Sequence, residues 1–174
     1  GRTEKNSLKQ EIDGLKFWLI EATLREQNKE EKISEIRRLR EDNITPFFLW
    51  KLEFSEVFQE KGGFDVVIGN PPYVDIKGLP EIEVRYLFKT FPCANNRINL
   101  FAVFMERTLE LTKQNGFMSM INQHSWMFLS SYEKLREKII KNHKIDTMVH
   151  LGARAFEEIG GEVVQSVAFV LESK

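Results

Sequence analysis

Apolar residues recur at helical spacing near the start of the chain: Leu8, Ile12, Leu15, Leu19 and Ala22 stand four, three, four and three apart. Ile33 and Ile36 resume the pattern after a gap. This predicts a long, highly charged helix over Ser7 to Asp42, or a helical hairpin broken near Gln27 to Lys32, its stripe lying against its own domain. After Thr45-Pro46 the pattern changes, with eight large apolar residues between Phe47 and Phe58, and the core is expected to begin there. Gly62-Gly63 reads as a turn, and the β-branched run Phe64 to Gly69 as a strand buried on both faces. Asp75 to Asn96, punctuated by Gly78, Pro80 and Pro92, reads as a long functional loop holding one short helix. From Asn99, an N-cap by residue type, a helix runs past Leu111 to a stop at Asn115-Gly116. Phe117 to Ile121 is the next strand, Ser131 to Lys141 a helix, and Ile145 to His150 and Val163 to Leu171 two more strands. Strands alternating with helices predict a mostly parallel α/β sheet, its closing pair free to be antiparallel. The expected division is a charged helical arm over residues 1–45 and a sheet domain over 46–174.

Composition narrows the function. The 25 Lys+Arg residues balance 26 Asp+Glu residues, so the chain lacks the general positive field of a self-sufficient nucleic-acid binder. A single cysteine, Cys93, excludes an intramolecular disulfide and any cysteine-based zinc site, and fits a reducing cytoplasm. Gln114 to Tyr132 carries no Asp, Glu, Lys or Arg, but its amides and serines exclude a membrane span. His124, His143 and His150 are too scattered to form a metal site with Cys93, and no metal is expected. The basic residues Lys134, Arg136, Lys138, Lys141 and Lys144 are interspersed with Glu133 and Glu137, the pattern of a solvated helix face.

The chemistry concentrates at Asn70-Pro71-Pro72-Tyr73, directly after a predicted buried strand. In open α/β sheets ligands sit beyond the carboxyl ends of the strands. Two prolines remove two backbone N–H donors, so the local backbone offers carbonyl acceptors, with the Asn70 amide oxygen beside them. Such a site accepts both hydrogens of an exocyclic or carboxamide NH2, which leaves the nitrogen lone pair directed at an electrophile. Tyr73 adds a flat apolar face for a planar group.

The segment Gly62 to Tyr73 closely resembles the catalytic motif of γ-type adenine-N6 DNA methyltransferases, including the methyltransferase portion of type IIG restriction-modification enzymes. Trp50 to Phe58 is similar to the stretch preceding that motif, and Asn99 to Phe104, Gly116 to Asn122, Tyr132 to Ile139 and His150 to Phe156 follow in the family's order. The resemblance implies the C-terminal half of a class I, Rossmann-like sheet and transfer of a methyl group from S-adenosylmethionine to N6 of an adenine flipped out of double-stranded DNA. On that basis Asn70 and Pro71 accept the amino hydrogens and edge the cofactor site, Pro72 completes the catalytic motif, Tyr73 stacks on the base, and Phe156 holds it from another side.

The chain departs from the family by lacking any Gly-x-Gly loop for the cofactor, and it begins Gly1-Arg2 without a methionine. An internal piece of a longer enzyme is therefore expected, inactive alone, with an apolar edge at the Phe64 to Gly69 strand through which it could self-associate. Two other readings share these residues: a glutamine-N5 or RNA base methyltransferase, whose substrates present the same two hydrogens, and a non-catalytic assembly module.

Overall fold

A computed structural model describes residues 1–42, 44, 48–94, 99–152 and 165–174. The chain divides into two compact units, Gly1–Glu53 and Phe54–Lys174.

The first unit is a helical hairpin. Helix α1 spans Arg2–Glu26 and α2 spans Glu30–Glu41, and between them Asn28 adopts a positive φ of 55°. The break falls where the apolar pattern lapses. The buried residues are not those of the predicted stripe: Phe17 and Ile33 are enclosed, while Leu8, Ile12, Leu15 and Leu19 are exposed. The guanidinium of Arg40 sits 5.2 Å above the Phe17 ring, and Glu21 takes a bidentate pair from Arg37, at 3.1 and 2.7 Å. Periodicity locates an apolar face, but packing of α1 on α2 selects the face that carries the larger ring. Two short helices follow, α3 at Trp50–Glu53 and α4 at Ser55–Lys61. The aromatic-rich stretch does not open the core, since Phe48, Leu52 and Phe54 are exposed. Instead Phe54 and Phe58 set their edges against Phe64, with centroids 5.0 and 5.5 Å apart.

The second unit is built on four strands: β1 (Phe64–Gly69), β2 (Thr112–Gln123), β3 (His143–Gly152) and β4 (Ser166–Ser173). Their order is β1-β2-β4-β3, with β1 and β2 parallel and β4 antiparallel to both neighbours. The carboxyl ends of β1, β2 and β3 and the start of β4 therefore form one rim. Helices α5 (Glu81–Thr90), α6 (Leu100–Leu111) and α7 (Glu133–Asn142) complete the unit. The core joins Phe101, Met105 and Leu109 of α6 and Leu135 and Ile139 of α7 to Met118 and Met120 of β2 and to Val167, Phe169 and Leu171 of β4.

Helix α6 ends at Leu111, earlier than the Asn115-Gly116 signal suggests, because β2 already starts at Thr112. The Asn-Gly pair marks instead an irregularity inside the strand: Phe64 faces Thr112 but Val66 faces Phe117, and Asn115 turns through a φ of 58°. A Cβ on Gly116 would lie 2.9 Å from Thr112 Cγ2 and 3.0 Å from the carbonyls of Asp65 and Lys113, so any larger residue crowds the crossing.

Asp65 fastens this crossing, reaching Lys113 Nζ at 2.6 Å and Lys61 Nζ at 2.9 Å. Lys113 first, then Lys61, holds its carboxyl down at about 2. A carboxylate lowered on folding contributes stability above its unfolded pKa and loses it as pH falls through the folded value. Denaturant midpoints are thus expected to decline between pH 4 and pH 2 in a step that Asp65→Asn lacks; an identical acid limb in the variant would remove Asp65 from that role.

Candidate active site

Asn70-Pro71-Pro72-Tyr73 leaves the carboxyl end of β1 at the sheet rim, where the sequence predicts a ligand. Asn70 is exposed, Pro71 buried, Pro72 exposed and Tyr73 half-buried. Buried Pro71 seats the turn without needing an N–H partner, and Asn70 keeps its side chain at the open surface.

Tyr73 is held at its far end. Its Oη donates to the carbonyl of Ile121 on β2 at 3.1 Å. Its ring meets Phe101 edge-on, with centroids 6.2 Å apart and planes at 79°. Phe101 in turn stacks on Tyr132, with centroids 5.7 Å apart and planes at 27°. Burial pushes the Tyr73 phenol up, with the Ser166 hydroxyl opposing it weakly, so the proton of the Ile121 bond is retained through the neutral range.

The segment after the motif is pinned back beside it. Leu100 N donates to the Val74 carbonyl at 2.8 Å, and Asp75 and Asn99 form an antiparallel bridge. Asn99 N donates to Tyr132 Oη at 3.1 Å, while the Asn99 side chain caps α6 by accepting from Phe101 N at 3.4 Å. The predicted loop is therefore a closed excursion, containing a 3-10 turn at Ile76–Gly78, α5, and a second such turn at Pro92–Ala94.

Asn122, at the end of β2, and Ser166, at the start of β4, are buried, and Asn122 Oδ1 has no hydrogen-bond partner among the described residues. His124 and His150, distant in sequence, meet at this end of the sheet with Nδ1 and Nε2 2.9 Å apart. β2 and β3 end on the same rim, which brings this pair together. Among the described residues no group of three His, Cys, Asp or Glu side chains is placed to hold a metal ion.

Of the predicted basic cluster, Lys138 pairs with Glu106 at 2.7 Å, and Arg136 donates to the carbonyls of Trp126 and Leu129 at 2.8 and 2.6 Å. Lys144 pairs with Glu172 at 3.2 Å. These cations bind the fold to itself. Phe156 lies outside the described residues, as do Val163 and the rest of 153–164. No described helix is long and apolar enough to cross a membrane.

The family model described as Eco57I restriction-modification methylase matches residues 3–156. Adenine-specific methyltransferase PglX of Lacticaseibacillus casei (strain Zhang) is 48% identical over 111 residues, which cover 64% of this chain and 9% of that protein. Adenine-specific methyltransferase BrxX of Escherichia coli O9:H4 (strain HS) is 46% identical over 110 residues, 63% of this chain and again 9% of the relative. The chain thus spans under a tenth of the length of these two relatives. Among solved structures, a Listeria monocytogenes protein assigned to the class I S-adenosylmethionine-dependent methyltransferases aligns with a TM-score of 0.50 at 21% identity. The alignment covers 64% of this chain and 32% of that one, a likeness of fold.

Proposed function

The chain belongs to the Eco57I restriction-modification methylase family, and on that premise we propose that it forms part of an enzyme that methylates the N6 amino group of adenine in DNA. The observation that carries this reading is the placement of Asn70-Pro71-Pro72-Tyr73 at the carboxyl end of β1, with acceptors at the open rim and Tyr73 braced behind them. PglX and BrxX, named as adenine-specific methyltransferases, support it.

In this reading the Asn70 side-chain oxygen and the Pro71 carbonyl each accept one hydrogen of the adenine NH2. As N6 forms its new bond it gains positive charge, which the two oxygens offset without having to reorient. Tyr73, fixed by the Ile121 carbonyl and the Phe101 edge, presents its ring to a base extruded from the duplex. Phe156 is assigned the opposite side of the base on the resemblance alone. S-adenosylmethionine, when bound, supplies an electrophilic methyl group on a sulfonium. Asn70 and Pro71 fit only the edge of its site, for the chain has no Gly-x-Gly loop to receive the rest. The one thiol, Cys93, is buried and reduced, which fits work in the cytoplasm.

The test uses the intact native protein with labelled cofactor and three acceptors: duplex DNA, RNA, and a release-factor domain carrying the target glutamine. Label in DNA adenine is expected; label in RNA or glutamine but not in DNA would overturn the reading. Titrated with S-adenosylmethionine, the isolated chain is expected to give no saturable heat. Clear binding would show that the glycine loop is dispensable.

Within the described sheet β1 is an edge strand, with Ile68 79% and Val66 54% exposed. An uncovered apolar edge of this kind supports self-association of the isolated chain. Sedimentation velocity is expected to show oligomers that grow with concentration and shrink in Ile68→Lys. A concentration-independent monomer would remove the edge from that role.

A further inference from the structure

The excursion between Tyr73 and α6 presents an apolar and basic stripe that the chemistry above leaves unused. Helix α5 buries Leu87 and packs half-buried Val84 against the core, with Phe91 buried just beyond its end. Opposite that face, Ile82, Arg85, Tyr86 and Lys89 follow at positions i, i+3, i+4 and i+7, one continuous stripe. Ile82 is 76% exposed and Tyr86 61% exposed. Among the described residues Arg85 bonds the neighbouring Glu81, at 2.6 Å and largely in solvent, and Lys89 has no carboxylate partner. An ion pair so exposed exchanges one anionic partner for another at little cost.

We propose that this stripe of α5 is a contact surface for duplex DNA beside the extruded nucleotide, Arg85 and Lys89 taking phosphates and Ile82 and Tyr86 packing on the adjoining deoxyriboses. The inference rests on the adenine-methylating reading and adds the surface that would hold the duplex over the site. Two features select DNA as the occupant. Glu81, which pairs with Arg85, and Glu83 flank the stripe at its first turn, so its unpaired positive charge lies toward Lys89 and matches phosphate there, and the excursion is anchored at the catalytic motif by the Leu100-to-Val74 bond and the Asp75–Asn99 bridge. A duplex whose base has turned toward Tyr73 brings its backbone close to the segment that leaves the motif. Arginine and lysine on phosphates position a duplex without reading its sequence, so the surface serves any recognition site.

The test measures DNA affinity of the intact native protein across a salt series for wild type, R85Q/K89Q and I82A/Y86A, with S-adenosylmethionine affinity as the control for an intact fold. R85Q/K89Q is expected to weaken binding about tenfold near physiological salt and to flatten the slope of log K against log salt by about 1 to 2, for the counterions of up to two phosphates. I82A/Y86A is expected to weaken binding severalfold at every salt concentration with the slope unchanged, because apolar contacts release no counterions. Unchanged affinity and slope in both variants would overturn the proposal. So would a loss of self-association in I82A/Y86A with DNA binding intact, which would give the stripe to a second copy of the chain. A wild-type protein that methylates no DNA adenine would instead defeat the underlying reading, so the two failures are separable.

Discussion

Asn70→Ala, introduced into the intact native protein, is expected to lower the rate of adenine methylation by about a hundred- to a thousandfold, the effect of removing one preorganised hydrogen-bonding group that acts on charge developing in the transition state. Asn70 is exposed at the rim and follows the last residue of β1, so its truncation leaves no cavity and no buried polar atom unpaired. Stability should change by less than about 0.5 kcal/mol, as for other surface substitutions. The amide oxygen strengthens its bond as N6 acquires positive charge, so the loss should fall on kcat rather than on DNA affinity. Asn70→Asp keeps an acceptor in the same place and is expected to retain more activity than Asn70→Ala. Single-turnover methylation, with DNA affinity measured in parallel, separates these outcomes. Equal losses in kcat and affinity, or an Ala variant as active as wild type, would remove Asn70 from the transition state.

The parts of this site legible in the sequence are those that depend on neighbours in the chain. Two prolines after a β-branched run end a strand wherever the chain folds, and Asn99 caps α6 through its own next turn. The pattern leaves the direction of β4 open, and pairing sets it antiparallel, Val167 opposite Asn122 on one side and His150 on the other. What stayed hidden is non-local. Nothing near Tyr73 in sequence announces that Ile121 accepts its hydroxyl, or that Phe101 and Tyr132 form a stacked pair behind it. The closeness of His124 and His150 likewise follows only from the strand order. The helical arm shows the converse error, in which a regular stripe at Leu8, Ile12, Leu15 and Leu19 suggested the buried face while Phe17 occupies it. Periodicity reports amphipathicity, and the partner that covers a face is chosen by tertiary packing.

Glu106 is the residue the sequence disguises most. It is a carboxylate in the run Leu100 to Leu111, yet it is only 1% exposed. Its Oε1 receives Lys138 Nζ of α7 at 2.7 Å, and its Oε2 receives the backbone N–H of Cys93 at 3.3 Å. One carboxylate thus joins α6, α7 and the end of the excursion that begins at Tyr73. Glu106→Ala leaves the Cys93 N–H unpartnered, opens a void and frees a lysine that is itself only partly exposed. Breaking a buried pair from one side costs roughly 3–5 kcal/mol, and because Lys138 reaches solvent the lower figure, about 3 kcal/mol, is expected here. Replacing both partners, in Glu106→Met with Lys138→Met, removes both charges together and should recover much of the loss. Cys93 supplies an independent readout. Burial, and then the charge of Glu106, push its thiol up to about 11, so the native protein should react with a disulfide reagent at pH 8 only as fast as it opens. In Glu106→Ala the thiol loses the neighbour that raises it and the local structure that shields it, and labelling should accelerate. Urea denaturation of the three proteins together with Cys93 labelling rates decides the matter: a Glu106→Ala variant within about 1 kcal/mol of wild type, labelling no faster, would show that the pair is solvated and spends as much on desolvation as it returns.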